Sequence, residues 1–361
     1  MQDHHRNMYE LEYPVPEVRS LAANGHEDSK PQGPTLVIAM QGYADAGQAI
    51  DLGSSHLLAA LDNSPLAVFN HDELVDYRSR RPATQVEIGG VKHISPISLE
   101  LHVVRDVDGA PFLLLAGPEP DLRWSAFTDA VGDLIERFNV QRTICLYSAP
   151  MTVPHTRPMV ISAHGNDPAL MKDLTTFDSH FTVPGSASLF IEKWLNDRKR
   201  SVAGYTAHVP HYVSASPYPE ATLRLLEAVK EHTGLNLPLS VLEVDCQSVA
   251  QQMQEQMEDS REIQHVVHAL EQQYDEEAER HRRQQALAAE DRNVPDAEEI
   301  GKAFEEFLAG VDSEDPTMSF EKSDVESTSA DDAEAESSAH SPRDAEDPGA
   351  SDDHNGSNQD S

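Results

Sequence analysis

Basic residues are scarce. Lys and Arg number 27 against 63 Asp and Glu in 361 residues, for a formal net charge of −36. A phosphate backbone or an anionic bilayer repels such a chain, which excludes nucleic acid and membrane surfaces as expected partners. Long apolar runs are missing too. None approaches the ~20 residues that span a bilayer. The opening MQDHHRNMYELEYPVPEV has no basic stretch followed by an apolar core, so no secretory leader is expected. Only two cysteines occur, Cys145 within an apolar run and Cys246 near the start of a helical region. Neither has metal-ligand spacing, and no disulfide framework is expected. No G-x-S-x-G is present, and PGSAS at 184–188 reads as a loop entering a helix with Ser186 as its cap. The chain therefore reads as a cytoplasmic protein with no expected metal, cofactor or catalytic residue.

What is there divides into four stretches. Residues 1–33 are polar and broken by Pro14, Pro16, Gly25, Pro31 and Gly33, and read as a flexible arm. Residues 34–240 alternate strand and helix patterns. Strands are expected at 35–40, 66–70, 97–105, 111–116, 142–148 and 202–207, and helices at 46–61, 121–138, 186–198 and 217–232. Val/Ile/Leu-rich strands alternating with helices of a dozen residues imply an α/β core, its mixed, mostly parallel sheet flanked by helices. Asp108-Gly109 between two strands signals a hairpin, which makes the sheet mixed. Asp121 is the expected cap of the second helix, and Ser216 with Pro217 of the fourth.

Residues 241–310 read as a polar helical extension. Ile263, Val267, Leu270 and Tyr274, spaced four, three and four, form a short coiled-coil seam, and a further helix is expected over 296–309. Residues 311–361 carry 16 Asp and Glu against Lys322 and Arg343, with almost nothing large and apolar after Phe320. Such a segment cannot bury enough surface to offset its ordering entropy and reads as a disordered acidic tail.

Three segments carry candidate chemistry. LVIAMQGYADAGQAI at 36–50 reads strand, glycine turn, helix, the layout of a phosphate cradle. It has Gly42 and Gly47 but then Gln48 and Ala49, so the Lys and hydroxyl of a nucleoside-triphosphate loop are missing. Ala44 replaces the middle glycine of a dinucleotide loop and crowds a pyrophosphate. The favoured reading is a tight turn with Asp45 capping the helix. Should a ligand sit here, Gly42, Asp45 and Gly47 would meet it. His155, Thr156 and Arg157, stiffened by Pro154 and Pro158, follow a buried strand. They either hold a phosphate or carboxylate or serve structurally, the second being favoured. His208 and His211 are three apart across Pro210, without partners at metal-binding spacing.

TLVIAMQGYADAGQAIDLGSSHLLAAL, HTRP and AHVPHYVSASPYPEATLRLLEAV, in this order, resemble segments of the proteasome assembly chaperone 2 family over roughly 34–245. The resemblance implies a core related in topology to nucleoside phosphorylases and hydrolases. It also implies self-association or pairing with a relative. Members in eukaryotes chaperone proteasome assembly by protein contacts without catalysis. Some relatives dock on proteasome rings through a hydrophobic-Tyr-any tail, whereas the last residues here are GSNQDS. A protein-assembly chaperone or scaffold is thus expected, with a proteasome-related partner possible within it. The alternative is a protein that binds a nucleoside- or phosphate-like ligand, or a hydrolase- or phosphorylase-like enzyme, at the carboxyl edge of the sheet.

Overall fold

The computed structural model describes residues 8–18, 33–176, 180 and 182–291. Met1–Arg292 forms one compact unit. The helix expected at 296–309 and the acidic tail at 311–361 lie outside the described residues.

The strands are β1 (Tyr9–Leu11), β2 (Thr35–Gln41), β3 (Asn63–Phe69), β4 (Thr84–Glu87), β5 (Gly90–Ile94), β6 (Glu100–Arg105), β7 (Pro111–Pro118), β8 (Arg142–Met151), β9 (Ile161–Gly165), β10 (Thr175–Thr176) and β11 (Ser201–Pro210). The helices are α1 (Ala49–Ala60), α2 (His71–Leu74), α3 (Trp124–Arg137), α4 (Ala187–Asp197), α5 (Pro219–Thr233), α6 (Ser240–Asp259) and α7 (Arg261–Asp291).

Among the described residues nine strands form one sheet in the order β1-β3-β6-β7-β2-β8-β11-β9-β10. The central strands β7, β2, β8 and β11 run parallel to their neighbours in this group. The flanks are antiparallel, apart from the short β9–β10 pair. The mixed α/β sheet read from the sequence is therefore present, with its parallel pairing concentrated in the middle.

Period-two alternation sends successive side chains to opposite faces of each strand. Val37 and Ala39 of β2, with Phe112 and Leu114 of β7, meet Ile50 and Leu57 of α1 and Leu225 and Val229 of α5. Leu36 and Ile38, with Leu113 and Leu115, meet Phe127, Leu134 and Ile135 of α3 and Ile191 and Leu195 of α4 on the other face. Two buried layers thus cover a sheet whose central strands are apolar on both sides. A Cβ at Gly132 would fall inside the Trp194 ring, so glycine there lets α3 and α4 pack closely.

The hairpin at Asp108-Gly109 forms between β6 and β7. Gly109 takes φ +81°, and the Asp106 carboxylate accepts from Asp108 N (3.0 Å) and Ala110 N (2.7 Å). Ser186 caps α4, accepting from Leu189 N at 3.2 Å. Two other expected caps differ. Helix α3 begins only at Trp124, after Arg123 in the left-handed region, while Asp121 accepts from Asp76 N and pairs with Arg80. Helix α5 starts with Pro219 at its first position, so the turn that Ser216 and Pro217 were expected to begin lies one Pro further on.

The sequence reading missed strands β9 and β10, the short helix α2 and three further features. Tyr9–Leu11 of the expected arm pairs antiparallel with β3. Strands β4 and β5 form a separate two-stranded sheet. The polar stretch after Leu239 divides at Ser260, which is extended, into α6 and α7. The expected seam faces this chain's own body: Val267 and Leu270 are buried and the Tyr274 hydroxyl donates to Pro158 O at 2.9 Å.

Candidate functional site

The parallel strands β2, β8 and β11 deliver three loops to one edge of the sheet, where open α/β sheets bind ligands. The loop after β2 is the suspected cradle. Its backbone is taken up by its neighbours. Gly47 N donates to Ser214 O (2.7 Å), and Gly47 O accepts from Tyr218 N (2.8 Å). Ala44 O accepts from Ser148 N (2.9 Å), and Ala46 O from the buried Ser148 hydroxyl (2.8 Å). A phosphate needs free amides at a helix N-terminus. Here Asp45 already occupies that place, accepting from Ile50 N at 2.7 Å and Asp51 N at 3.4 Å. Burial pushes the Asp45 carboxyl above its ordinary value, against these two hydrogen bonds.

Both glycines have packing reasons. Gly47 sits at φ +70°, and a Cβ there would lie 2.9 Å from Tyr218 Cβ. At Gly42 a Cβ would lie 2.5 Å from Glu119 Oε2. Glu119 passes this point to accept from Ala187 N, the first amide of α4, at 2.6 Å.

The loop after β8 carries His155, Thr156 and Arg157, and α7 straps it down. The Arg157 guanidinium donates to Asp275 through Nε (2.9 Å) and Nη2 (2.8 Å), and to Glu271 through Nη1 (3.0 Å). Thr156 Oγ1 donates to Glu271 Oε1 at 2.6 Å. Thr156 in first place, with His268 and Arg157, holds the Glu271 carboxyl below the usual range. The hydrogen bonds that Arg157 donates to Asp275 in turn raise Arg157. His155 meets the Tyr212 hydroxyl through its backbone N (2.8 Å) and Nδ1 (2.7 Å).

After β11 the two histidines diverge. His208 Nε2 lies 2.9 Å from Ser162 Oγ, whereas His211 donates its backbone N–H to Met151 O and stands edge-on to Tyr212. Burial lowers both His155 and His208, Glu271 opposing this at His155, which keeps the two rings neutral near pH 7.

A cleft of about 180 Å³ opens between the β8–β9 loop, the end of β11, the start of α5 and the inner faces of α6 and α7. His155, Arg157 and His208 line it, with Tyr218, Glu220 and Cys246 and an apolar wall that includes Met159, Val249 and Met253. Gly42, Asp45, Gly47, Thr156 and His211 do not line it. The structure therefore brings together three of the sequence candidates and adds Tyr218 and Glu220 from the start of α5 and Cys246 from α6, a convergence that their sequence positions did not signal. The Cys246 thiol, pushed up to about 12 chiefly by burial, is not a thiolate at neutral pH. Among the described residues no group of three or more His, Cys, Asp and Glu is placed to hold a metal ion.

A second polar cluster lies beneath α4. The buried Tyr147 hydroxyl donates to Glu192 Oε1 at 2.6 Å. His164 Nε2 lies 2.8 Å from Glu192 Oε2, out of line for a full hydrogen bond. Burial alone would lower His164, but the Glu192 carboxylate outweighs it and raises the ring. A Cβ at Gly204 would meet both His164 and Glu192. The sequence held a signal here. Glu192 falls four after Ser188 and three before Leu195, on the inward face of α4.

A mixed sheet with buried layers on both faces and loops from three parallel strands at one edge defines an α/β protein whose carboxyl edge is roofed by added helices. The model of the PAC2 family matches residues 39–257, and the chain belongs to that family. No curated protein matches the sequence. Among solved structures, a protein of unknown function from Corynebacterium glutamicum is 58% identical with a TM-score of 0.72, over 76% of this chain and 99% of the other. A Mycobacterium tuberculosis protein of unknown function is 44% identical with a TM-score of 0.71, over 76% and 93%. A proteasome-assembly chaperone homologue of M. tuberculosis shares the fold at 24% identity and a TM-score of 0.59, over 64% and 99%. No helix among the described residues is long and apolar enough to cross a membrane.

Proposed function

We propose that the protein is a non-enzymatic assembly chaperone or scaffold. It works in the cytoplasm through protein–protein contacts, associates with copies of itself and engages a proteasome-related partner. Membership of the PAC2 family supports the general reading. The observation that carries it is the state of Arg157. The one fixed guanidinium expected to take an anion is already neutralised by Asp275 and Glu271 of its own chain. The edge of the sheet thereby serves to hold α7 in place. The test is affinity capture of the full chain from cell extract, followed by reconstitution with the purified partner. A stoichiometric complex is expected. Recovery of self-associated protein alone refutes the chaperone role.

One observation favours a second reading. The cleft, with neutral His155 and His208 and an apolar wall, has the size and character for a small uncharged ring such as a nucleoside base. A ligand at about 100 times its dissociation constant stabilises a protein by about 2.7 kcal/mol. A thermal-shift panel of nucleosides, nucleotides and inorganic phosphate separates the readings, since the scaffold reading expects no shift.

A further inference from the structure

The polar cluster beneath α4 takes no part in the cleft. Gly204 of β11 lies in register with Cys145 of β8 on one side and His164 of β9 on the other. A glycine inside a buried strand packs nothing and marks a place that another group must approach closely. Here a Cβ would fall on the His164 ring and 2.7 Å from Glu192 Oε1. The missing side chain is thus a notch that admits these two groups. The His164 ring stacks on Tyr147, with centroids 6.0 Å apart and planes at 30°. Glu192 comes down from α4 to meet both, accepting from the Tyr147 hydroxyl at 2.6 Å and facing His164 Nε2 at 2.8 Å.

A buried carboxylate needs a counter-charge. Glu192 is 7% exposed, and among the described residues His164 is its one cationic partner. Cys145 and Tyr147 face Glu192 from β8, and burial keeps both protonated. Lys193 and Asp197 of α4 pair with each other at the surface. Asp167, just beyond β9, takes the Ser201 hydroxyl, and His208 of β11 lies against Ser162. The His164 side chain retains 38% exposure, so its proton exchanges with solvent while Glu192 stays enclosed. The pair joins separate elements: β9 and β10 end the sheet, and 166–186 runs from β9 to α4.

We propose that His164 and Glu192 form a proton-operated latch that holds β9 against α4, closed while the ring is protonated and released when it is not. Losing the ring proton strands the buried carboxylate, and α4 moving off the notch relieves it. Burial alone would lower His164, and the Glu192 carboxylate outweighs it and raises the ring. The latch therefore contributes its stability in full below about pH 6.5 and loses it as the pH rises through the higher folded value. What it moves is a surface. Helix α4 carries Phe190, which is 43% exposed and stands edge-on to Trp124 of α3 at 5.4 Å.

Both tryptophans of the chain report on this contact. Trp194 of α4 donates to Asp129 of α3 at 3.2 Å, and Trp124 meets Phe190. The test is tryptophan emission of the full chain from pH 5.5 to 9, with amide exchange over 161–165 and 187–197 at pH 6 and pH 8.5, corrected for intrinsic rates. In the wild type a one-proton emission transition is expected above pH 6.5, and protection should fall about threefold or more. Both changes should vanish in His164→Gln and Glu192→Gln and persist in His208→Gln. A transition that survives in His164→Gln, or wild-type protection that stays flat or rises with pH, overturns the latch. The second result needs no variant, so a substitution that fails to fold leaves the test intact.

Discussion

Arg157 and Asp275 stand 118 positions apart in sequence and meet side by side, Nε to Oδ1 at 2.9 Å and Nη2 to Oδ2 at 2.8 Å. The planar fork of arginine matches the two carboxylate oxygens, a geometry that lysine cannot reproduce. With Glu271 on the third nitrogen, one side chain of the β8–β9 loop fixes the side of α7 that roofs the cleft.

Removing that fork should loosen α7 without unfolding the sheet. Arg157→Ala is expected to speed amide exchange over 261–275, and Arg157→Lys to do so less. Salt at 1 M, where screening acts within about 3 Å, should move the wild type toward the variants. Exchange mass spectrometry reads all three. Equal rates in wild type and Arg157→Ala would sink the strap.

The GYADAG turn should behave as a packing element. Gly47→Ala places a side chain in the left-handed region, which costs about 1–2 kcal/mol, and sets its Cβ 2.9 Å from Tyr218 Cβ. A loss of about 2 kcal/mol or more is expected in denaturant unfolding. Gly53→Ala, inside α1 with Thr222 Cγ2 at an ordinary 3.5 Å, should instead gain about 0.5–1 kcal/mol. Equal effects at the two sites would contradict this account.

Acid should destabilise the fold through its half-buried histidines. His102, His155 and His208 all lie below the ordinary histidine value through burial, with Glu100 and Glu271 opposing at the first two. The unfolded chain then binds protons that the folded one refuses. The stability these groups contribute is complete above about pH 6.5 and is lost as the pH falls through that value toward their lowered folded ones. His164, raised through Glu192, acts in the opposite sense. Melting temperatures should fall from pH 7.5 to 5.5, with a shallower slope in His208→Gln. A slope that does not change with this substitution removes His208 from the account.

Neither thiol should react in the native state. Cys145 is fully buried, which pushes its thiol well up, and Cys246 is raised to about 12. Thiol titration at pH 7 should find both silent over minutes and both reactive in denaturant. A fast-reacting thiol in the folded protein would point to an activating cation absent from this geometry.

Much of the core was legible because a strand or helix buried on one side writes its period into the sequence. The stripe of Phe127, Val131, Leu134 and Ile135 located α3 and its inner face, while the unbroken apolar run Leu36–Ala39 marked β2 as a strand covered on both sides. The β4–β5 hairpin was missed because neither of its faces is buried, so no period is enforced. Of the expected coiled-coil seam, Val267, Leu270 and Tyr274 turn to this chain's own body, while Ile263 stays 41% exposed. A spacing of four and three states that a face is covered and leaves open by what.

The candidate site divided in the same way. Residue types and local order made Gly42, Asp45, Gly47, His155, Arg157 and His208 conspicuous. Distance then sorted them, placing His155, Arg157 and His208 on one cleft and Asp45 on its own helix. The sequence by itself determined the alternation of elements, the turn glycines, the excess of acid and the family signature. These depend on local conformation and composition, which each segment carries alone. Tertiary structure alone decided that Arg157 belongs to Asp275, that the Gly47 amide belongs to Ser214, and that Tyr218, Glu220 and Cys246 complete a cleft. Such pairings join segments tens to more than a hundred residues apart, and only the closed packing of sheet and helices brings them within hydrogen-bonding reach.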